Sequence, residues 1–222
     1  MTNSLKNILV VGATGGTGFA VVQALLERGH RVTAFSRSAS QMELTHDSLL
    51  KLDGDVMSAI DVSRAVAGQD AVIVALGIAE NPLKVRFWGS TKTPLQVRSE
   101  GTKMLIHAMK EHGVDKLVVL SSYGVGETRD ELGWFERLFF ALVLAPQIAD
   151  TERQERAVRE SGLEWVLAQP VHLSDKDIEE LPFTSTNGEV RKMEVARKQV
   201  AQVLARAALV DEYIGRSVSI SG

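Results

Sequence analysis

The chain has 222 residues, of which 45% are hydrophobic, so it can bury one sizeable core and we expect one domain over residues 1–222. Its net charge of −3 and pI near 6.0 exclude the positive field that holds nucleic acid. It has no cysteine and only scattered histidines, which predicts no disulfide, no thiolate chemistry and no metal site. No apolar run forms a signal peptide or reaches the ~20 residues of a membrane span, so we expect a cytoplasmic protein without membrane contact.

Short β-branched runs alternate with longer segments of helical periodicity, which is typical of βαβ units in a parallel sheet. Strands are predicted at 7–11, 31–36, 49–53, 70–76, 116–120, 163–168 and 217–220. Helices are predicted at 19–28, 60–67, 95–112, 148–161 and 194–208. Residues 77–93 and 172–190 show no period and are predicted to be irregular. The pattern therefore predicts an α/β fold: a Rossmann-type, doubly wound, mainly parallel sheet flanked by helices.

A glycine-rich loop joins the first predicted strand to the first predicted helix. In this position glycines allow a tight turn and close approach of a pyrophosphate, which the helix start attracts through its unpaired amides. Threonine hydroxyls add further donors. We predict cofactor contacts for Gly12, Thr14, Gly15, Gly16, Thr17 and Gly18. The alternative interpretation is a glycine-rich turn that binds nothing.

The end of the second strand predicts which dinucleotide the loop binds. A site that prefers NAD(H) has an acid there, which accepts hydrogen bonds from the ribose hydroxyls. This sequence has Ser36 and Arg37 instead, and an arginine pairs well with a 2′-phosphate. The sequence therefore favours NADP(H) as the cofactor and makes NAD(H) the less favoured one, although such an arginine can also be a solvated surface charge.

The chain resembles the atypical short-chain dehydrogenase/reductase family that includes NmrA-like NAD(P)H-binding proteins and the biliverdin reductase B, or flavin reductase, group. The similarity covers nearly the whole chain and rests on short motifs spread along it. These motifs are the glycine loop 12–18, Gly54-Asp55-Val56, the run from Asp70 to Gly77, Glu100-Gly101-Thr102, the run from His112 to Lys116, Ser121-Ser122, and the run from Arg159 to Leu163.

The resemblance implies cofactor contacts outside the glycine loop. It implies that Asp55 and Val56 lie beside the adenine, with Asp55 as a hydrogen-bond acceptor. It also implies that Leu76 and Gly77 pass the ribose side of the cofactor. From the residues alone, Asp55 equally suits a turn.

Two serines end the predicted fifth strand, beyond which ligands bind in open α/β sheets. Ser122 matches the serine that the biliverdin reductase B group carries near its substrate, so the resemblance implies a catalytic role. Ser121 is predicted to face the nicotinamide pocket, and Pro170 matches the segment that folds over the nicotinamide side. A serine that caps a helix or forms a turn is the competing interpretation for both serines.

Departures from the family limit what the resemblance implies. Short-chain dehydrogenases carry a Tyr-x-x-x-Lys pair, but at that spacing Tyr123 is followed by Glu127 and Tyr213 by a serine. A histidine of the biliverdin reductase B group is replaced by Glu155, so tetrapyrrole specificity is not carried over. Tyr123 is a second predicted catalytic residue, able to donate a proton or stack on a flat substrate, or else a packing residue.

Two further segments have both a functional and a plain structural interpretation. Aromatic residues at positions 134, 135, 139 and 140 suit either a wall for a planar ligand or core packing. Basic and aromatic residues suit either a lid over the cofactor or a surface loop. These residues are Lys84, Arg86, Phe87, Trp88, Lys92 and Arg98.

The sequence supports two functional hypotheses. The first is an NADPH-dependent reductase that transfers hydride to a small-molecule substrate such as a flavin, a quinone or a similar conjugated acceptor. Such an acceptor delocalises the charge, which fits the missing tyrosine–lysine pair. The second is a redox sensor of the NmrA-like type that binds NADP(H) without turnover.

Overall fold

The described part of this computed structural model covers residues 4–77, 94–131 and 145–222. The strands, in chain order, are β1 (Asn7–Val11), β2 (Arg31–Ser36), β3 (Leu49–Asp53), β4 (Ala71–Val74), β5 (Lys116–Leu120), β6 (Glu164–Pro170), β7 (His172–Ser174), β8 (Phe183–Ser185), β9 (Glu194–Ala196) and β10 (Arg216–Ser221). The α-helices are α1 (Gly16–Glu27), α2 (Ala59–Val66), α3 (Val97–His112), α4 (Ala145–Arg159) and α5 (Arg197–Leu209). Short 3₁₀ turns in the described ranges cover Ala39–Gln41 and Gly126–Glu131.

Eight strands form one sheet in the order β3-β2-β1-β4-β5-β6-β10-β8, and β7 pairs separately with β9. Neighbouring strands of the large sheet are parallel except for the edge pair β10 and β8. The chain runs from β1 to β2 on one side and returns to β4 on the other. The sheet confirms the predicted doubly wound, mainly parallel fold, and the reversal at β1 opens a crevice at the carboxyl ends of β1 and β4.

The central strands are apolar on both faces because helices cover both faces. In β1, Ile8 and Val10 pack into the core cluster that contains α1 and α5. Leu9 and Val11 point the other way, into the cluster that contains α2, α3 and part of α4. Within the described ranges, no helix is long and apolar enough to cross a membrane.

The largest differences from the predicted elements lie near the C-terminus. Residues 172–190, predicted to be irregular, contain the short strands β7 and β8. Residues 194–196, predicted to begin a helix, instead form β9. This strand pairs in parallel with β7, and Val195 lies opposite Leu173. A three-residue strand has no period of its own, so long-range pairing and not local sequence decides its conformation.

His30 is a buried histidine between α1 and β2, with a relative exposure of 1%. Its Nδ1 lies 3.3 Å from the donating backbone amide of Lys6, and its Nε2 has no hydrogen-bond partner among the described residues. Burial lowers the pKa of His30, and the nearby charges of Arg28 and Lys6 lower it further. The fold therefore favours the neutral form of this ring.

We expect acid to destabilise the fold through His30. Below the ordinary histidine pKa of about 6.5, the unfolded chain takes up a proton that the folded chain does not, so stability is complete above that pH and falls below it. Urea unfolding of the wild type and of His30→Gln at a series of pH values measures the difference. The free energy of unfolding should fall less below about pH 6.5 in the variant than in the wild type. Two parallel pH profiles would contradict the assignment.

Candidate functional site

A cleft of about 450 Å³ opens at the carboxyl ends of β1, β2 and β4. Its walls come from the loops after these strands and after β3, from the start of α3, from the first residue of α5, and from Leu120 and Leu173. The predicted cofactor-binding residues that line it are Gly12, Thr14, Gly15, Gly16, Thr17, Ser36, Arg37, Asp55, Val56, Leu76 and Gly77. The other predicted site residues lie outside its lining; they are Gly18, Ser121, Ser122, Tyr123 and Pro170.

Close backbone contacts shape the glycine loop. Gly12 has φ of 82°, and a Cβ there would lie 2.6 Å from the carbonyl oxygen of Ala75 after β4. A Cβ at Gly18 would overlap the carbonyl oxygen of Gly12. The Gly15 amide donates to that same oxygen at 3.0 Å and closes the turn. Gly18 therefore supports the loop through packing, while Gly12 and Gly15 face the cleft.

Helix α1 begins at this loop without a capping side chain. Its N-cap residue is Gly15, and its first turn contains no acid. The amide of Phe19 donates to the Gly15 carbonyl at 2.7 Å, so the amides of Gly16 and Thr17 precede the first intrahelical bond. Unpaired amides and the positive end of the helix dipole suit a phosphate group. The loop thus fits the diphosphate of a dinucleotide.

The end of β2 carries Ser36, Arg37 and Ser38 at the cleft. Asp53, at the end of the neighbouring strand β3, does not line the cleft. Its carboxylate accepts from the hydroxyl and the backbone amide of Ser40 at 2.5 and 2.8 Å. These hydrogen bonds lower the pKa of Asp53, the one to the hydroxyl most strongly. Asp53 therefore stabilises the turn after β2, and the side chain of Arg37 forms the charged part of this wall.

Asp55 is the one carboxylate among the described residues that line the cleft. Its Oδ1 accepts from the backbone amide of Met57 at 2.9 Å, so it also forms the turn that the sequence left as an alternative. Of the residues that the structure describes, three arginines line the same cleft: Arg37, Arg98 and Arg197. Their excess of positive charge suits an anionic ligand.

The first turn of α3 forms the wall beyond Gly77. The Nη2 of Arg98 would lie 3.6 Å from a Cβ at Gly77, and its Nη1 donates to Oγ1 of Thr151 at 3.4 Å. Burial lowers the pKa of Arg98, while the charge of Asp150 raises it. A guanidinium stays charged in proteins, so this wall presents a cation to the cleft.

Asp150 of α4 caps helix α3 across the helix interface. Its carboxylate accepts from the backbone amide of Arg98 at 3.0 Å and from the hydroxyl of Ser99 at 2.5 Å. Asp150 is 1% exposed, and the N-cap residue of α3, Gln96, makes no side-chain cap bond. A residue far along the chain thus positions the turn that carries Arg98.

We expect Asp150→Ala to lower the free energy of unfolding by about 2–3 kcal/mol, because it removes a helix cap and leaves buried donors unpaired. Urea unfolding measures the change. Asp47→Ala is the matched control, since Asp47 is exposed, and it should stay within about 0.5 kcal/mol of the wild type. An equal effect of the two substitutions would show that the cap does not stabilise α3.

Ser121 points away from the cleft into a buried polar network. Its hydroxyl donates to Oε1 of Glu155 at 2.5 Å, and the side-chain amide of Gln169 donates to the same oxygen at 2.9 Å. Arg159 pairs with Oε2 of Glu155 at 2.9 Å. Glu155 is 1% exposed. In the structure, Ser121 anchors the loop after β5 to α4.

Ser122 and Tyr123 belong to the same loop, which bonds to Pro170. The hydroxyl of half-buried Ser122 donates to the carbonyl of Tyr123 at 3.3 Å. Tyr123 is 5% exposed and its hydroxyl donates to the carbonyl of Gly188 at 3.1 Å. The backbone amide of Tyr123 donates to the carbonyl of Pro170 at 2.9 Å. Both predicted catalytic hydroxyls thus have protein partners in this arrangement.

The lining residues that were not predicted site residues include Val97, Leu173 and Arg197. Leu173 lies in β7 and Arg197 follows β9, and local sequence did not predict either strand. The predicted aromatic wall at 134–140 and residues 78–93 of the predicted lid lie outside the described residues. Arg98, which was grouped with that lid, is described and lines the cleft.

The parallel sheet, the reversal at β1 and the glycine loop before α1 define a Rossmann-type dinucleotide-binding protein. Comparison with known sequences agrees, because residues 12–210 match the model of a family described as NAD(P)H-binding. The chain belongs to this NAD(P)H-binding family, as the resemblance implied.

Curated relatives carry the names of oxidoreductases. The 2-alkyl-3-oxoalkanoate reductase of Stenotrophomonas maltophilia is 33% identical over 172 residues, which are 73% of this chain and 49% of that protein. A 3-beta-hydroxysteroid dehydrogenase of Mycolicibacterium neoaurum is 34% identical over 131 residues, 56% of this chain and 34% of that protein. The chain therefore spans half or less of the length of these two relatives.

Solved structures share the fold over nearly the whole chain. A short-chain dehydrogenase/reductase of Veillonella parvula in complex with NADP has a TM-score of 0.81 at 14% identity, with 99% of this chain and 95% of that chain covered. An anaerobillin reductase of Escherichia coli has a TM-score of 0.77 at 18% identity, with 97% and 96% covered. At these identities the likeness concerns the fold alone.

Proposed function

We propose that the protein is an NADPH-dependent reductase that transfers hydride to a flavin, a quinone or a similar conjugated acceptor. The observation that carries the cofactor choice is the end of β2, where Ser36, Arg37 and Ser38 line the cleft while Asp53 is bonded to Ser40. A guanidinium can bind a 2′-phosphate through paired hydrogen bonds, whereas a carboxylate there would repel it.

The bound cofactor would extend across the cleft from Arg37 to Gly77. Asp55 and Val56 would contact the adenine, the amides of the glycine loop would bind the diphosphate, and Leu76 and Gly77 would pass the nicotinamide ribose. When bound, the reduced nicotinamide supplies a hydride to the acceptor. The protein holds the two reactants in contact and keeps the diphosphate charge paired.

A conjugated acceptor suits the chemistry of the described residues. Such an acceptor takes up the hydride and spreads the resulting negative charge over its own ring system, and a proton from water completes the reduction. The cation of Arg98 beyond Gly77 can stabilise that charge. In this proposal Ser122 orients the acceptor, and water supplies the proton, because the hydroxyl of Tyr123 donates to Gly188.

The test is NADPH oxidation, followed by the loss of reduced-nicotinamide absorbance, with and without FMN, menadione or biliverdin. Purified full-length protein should accelerate oxidation with at least one acceptor, and Ser122→Ala should lower kcat more than it raises KM. Tight binding of NADPH without turnover on any acceptor class would overturn the reductase proposal.

A sensor that binds NADP(H) without turnover is the second candidate. One observation favours it: the hydroxyls of both Ser121 and Tyr123 are bonded within the protein, to Glu155 and Gly188. In this proposal the cleft binds the dinucleotide, and binding changes the contacts of the chain with a protein partner. Binding of NADPH at equal affinity in Ser122→Ala, with no oxidation by either protein, would support it.

A further inference from the structure

Arg197 comes from the far end of the chain, yet it packs directly on the glycine loop. A Cβ at Gly16 would lie 3.1 Å from Cδ and 3.2 Å from Nε of Arg197. Arg197 also lines the cleft. Its side chain therefore lies beside the unpaired first-turn amides of α1, on the side of the loop where a diphosphate would be bound.

The surrounding structure fixes the position of Arg197. The preceding residues Val195 and Ala196 are buried, and β9 pairs with β7. The side chain of Gln199 accepts from the Ala196 amide at 3.1 Å and donates to the Glu180 carbonyl at 2.8 Å. Helix α5 packs against α1 itself, so the Arg197 backbone and the glycine loop are held together by the core.

The present partner of Arg197 is a weak one. Its Nη1 is bonded to the carboxylate of Asp175, whose side chain is 85% exposed, while that of Arg197 is 30% exposed. Exposed ion pairs contribute little because water and salt screen them. A diphosphate offers more negative charge and several oxygens to the same planar guanidinium.

We propose that Arg197 binds the diphosphate of the dinucleotide and exchanges Asp175 for it when the cofactor enters. Asp175 then acts as an internal competitor that holds the guanidinium in position and weakens binding by its own charge. This assignment rests on the proposed dinucleotide binding but not on turnover. It gives the cleft two arginines with separate targets, Arg37 for the 2′-phosphate and Arg197 for the diphosphate.

Equilibrium titrations with NADPH, NADH and ADP-ribose separate these targets, because all three ligands carry the diphosphate and only NADPH carries the 2′-phosphate. Arg197→Gln should weaken all three by a similar factor of about tenfold or more. Arg37→Gln should weaken NADPH alone. Asp175→Asn breaks the same ion pair without removing the guanidinium, and it should bind all three ligands more tightly than the wild type.

Each outcome bears on the assignment. Unchanged affinities in Arg197→Gln would show that the pair with Asp175 is a surface ion pair only, and a loss confined to NADPH would place Arg197 at the 2′-phosphate; either result overturns the proposal. Unchanged or weaker binding in Asp175→Asn would overturn the competitor role. If the wild type binds all three ligands but reduces no acceptor, the reductase proposal fails and the Arg197 assignment stands on the titrations.

Discussion

Replacing Arg37 with aspartate is expected to lower the affinity for NADPH by about 100-fold and to raise the affinity for NADH several-fold. The substitution removes the guanidinium proposed to bind the 2′-phosphate and places a repelling carboxylate at the end of β2. The same carboxylate can accept hydrogen bonds from the ribose hydroxyls of NADH. Fluorescence titration of both reduced dinucleotides measures the two affinities.

Arg31→Asp is the matched control, since Arg31 is exposed at the opposite end of β2. It makes the same change in net charge away from the cleft, so its affinities should stay within about twofold of the wild type in moderate salt. Equal losses of NADPH affinity in the two variants would assign the effect to the net charge of the protein. An unchanged preference in Arg37→Asp would remove the basis for choosing NADPH.

Gly18→Ala is expected to destabilise the fold by about 3 kcal/mol or more, because the new methyl group would overlap the carbonyl oxygen of Gly12. That oxygen belongs to the backbone and accepts from the amide of Gly15, so it cannot move without opening the loop. Urea unfolding measures the loss, and NADPH binding should fall with it.

Two other glycines provide the controls. Gly29→Ala places a methyl group in open space at a φ of 79°, which should cost about 1 kcal/mol. Gly15→Ala has only an ordinary contact, 3.4 Å from the Gly12 oxygen, so it should fold normally and lose NADPH binding because Gly15 lines the cleft. If Gly18→Ala is as stable as Gly29→Ala, the loop is more adaptable than its packing indicates.

Local sequence patterns predicted most of the architecture. The bounds of β1, β2, β3 and β5 agree with prediction to the residue, because each is a short apolar run between clear turn signals. The helix α1 was predicted to begin at Phe19 but begins at Gly16, since the glycine loop itself forms the first turn. Most predicted cofactor-binding residues line one cleft, because motifs that follow parallel strands meet at one edge of the sheet.

The orientation of side chains could not be predicted in the same way. Ser121 and Ser122 follow β5 as expected, but Ser121 faces Glu155 and not the cleft. Which of two neighbouring hydroxyls faces a ligand depends on the helix packed behind the strand. Tyr123 is likewise turned toward Gly188, in a segment that shows no periodic pattern.

Hydrophobic periodicity and glycine placement alone were enough to specify the parallel strands of the large sheet, its helices and the loop for a dinucleotide, because these signals act over a few neighbouring residues. The contacts of Asp150 with α3 and of Arg197 with Gly16 arose only in the folded chain. Each joins residues far apart in sequence through the packing of two helices or the pairing of β7 with β9. Such contacts have no local pattern, because their energy depends on distances that only the assembled core sets.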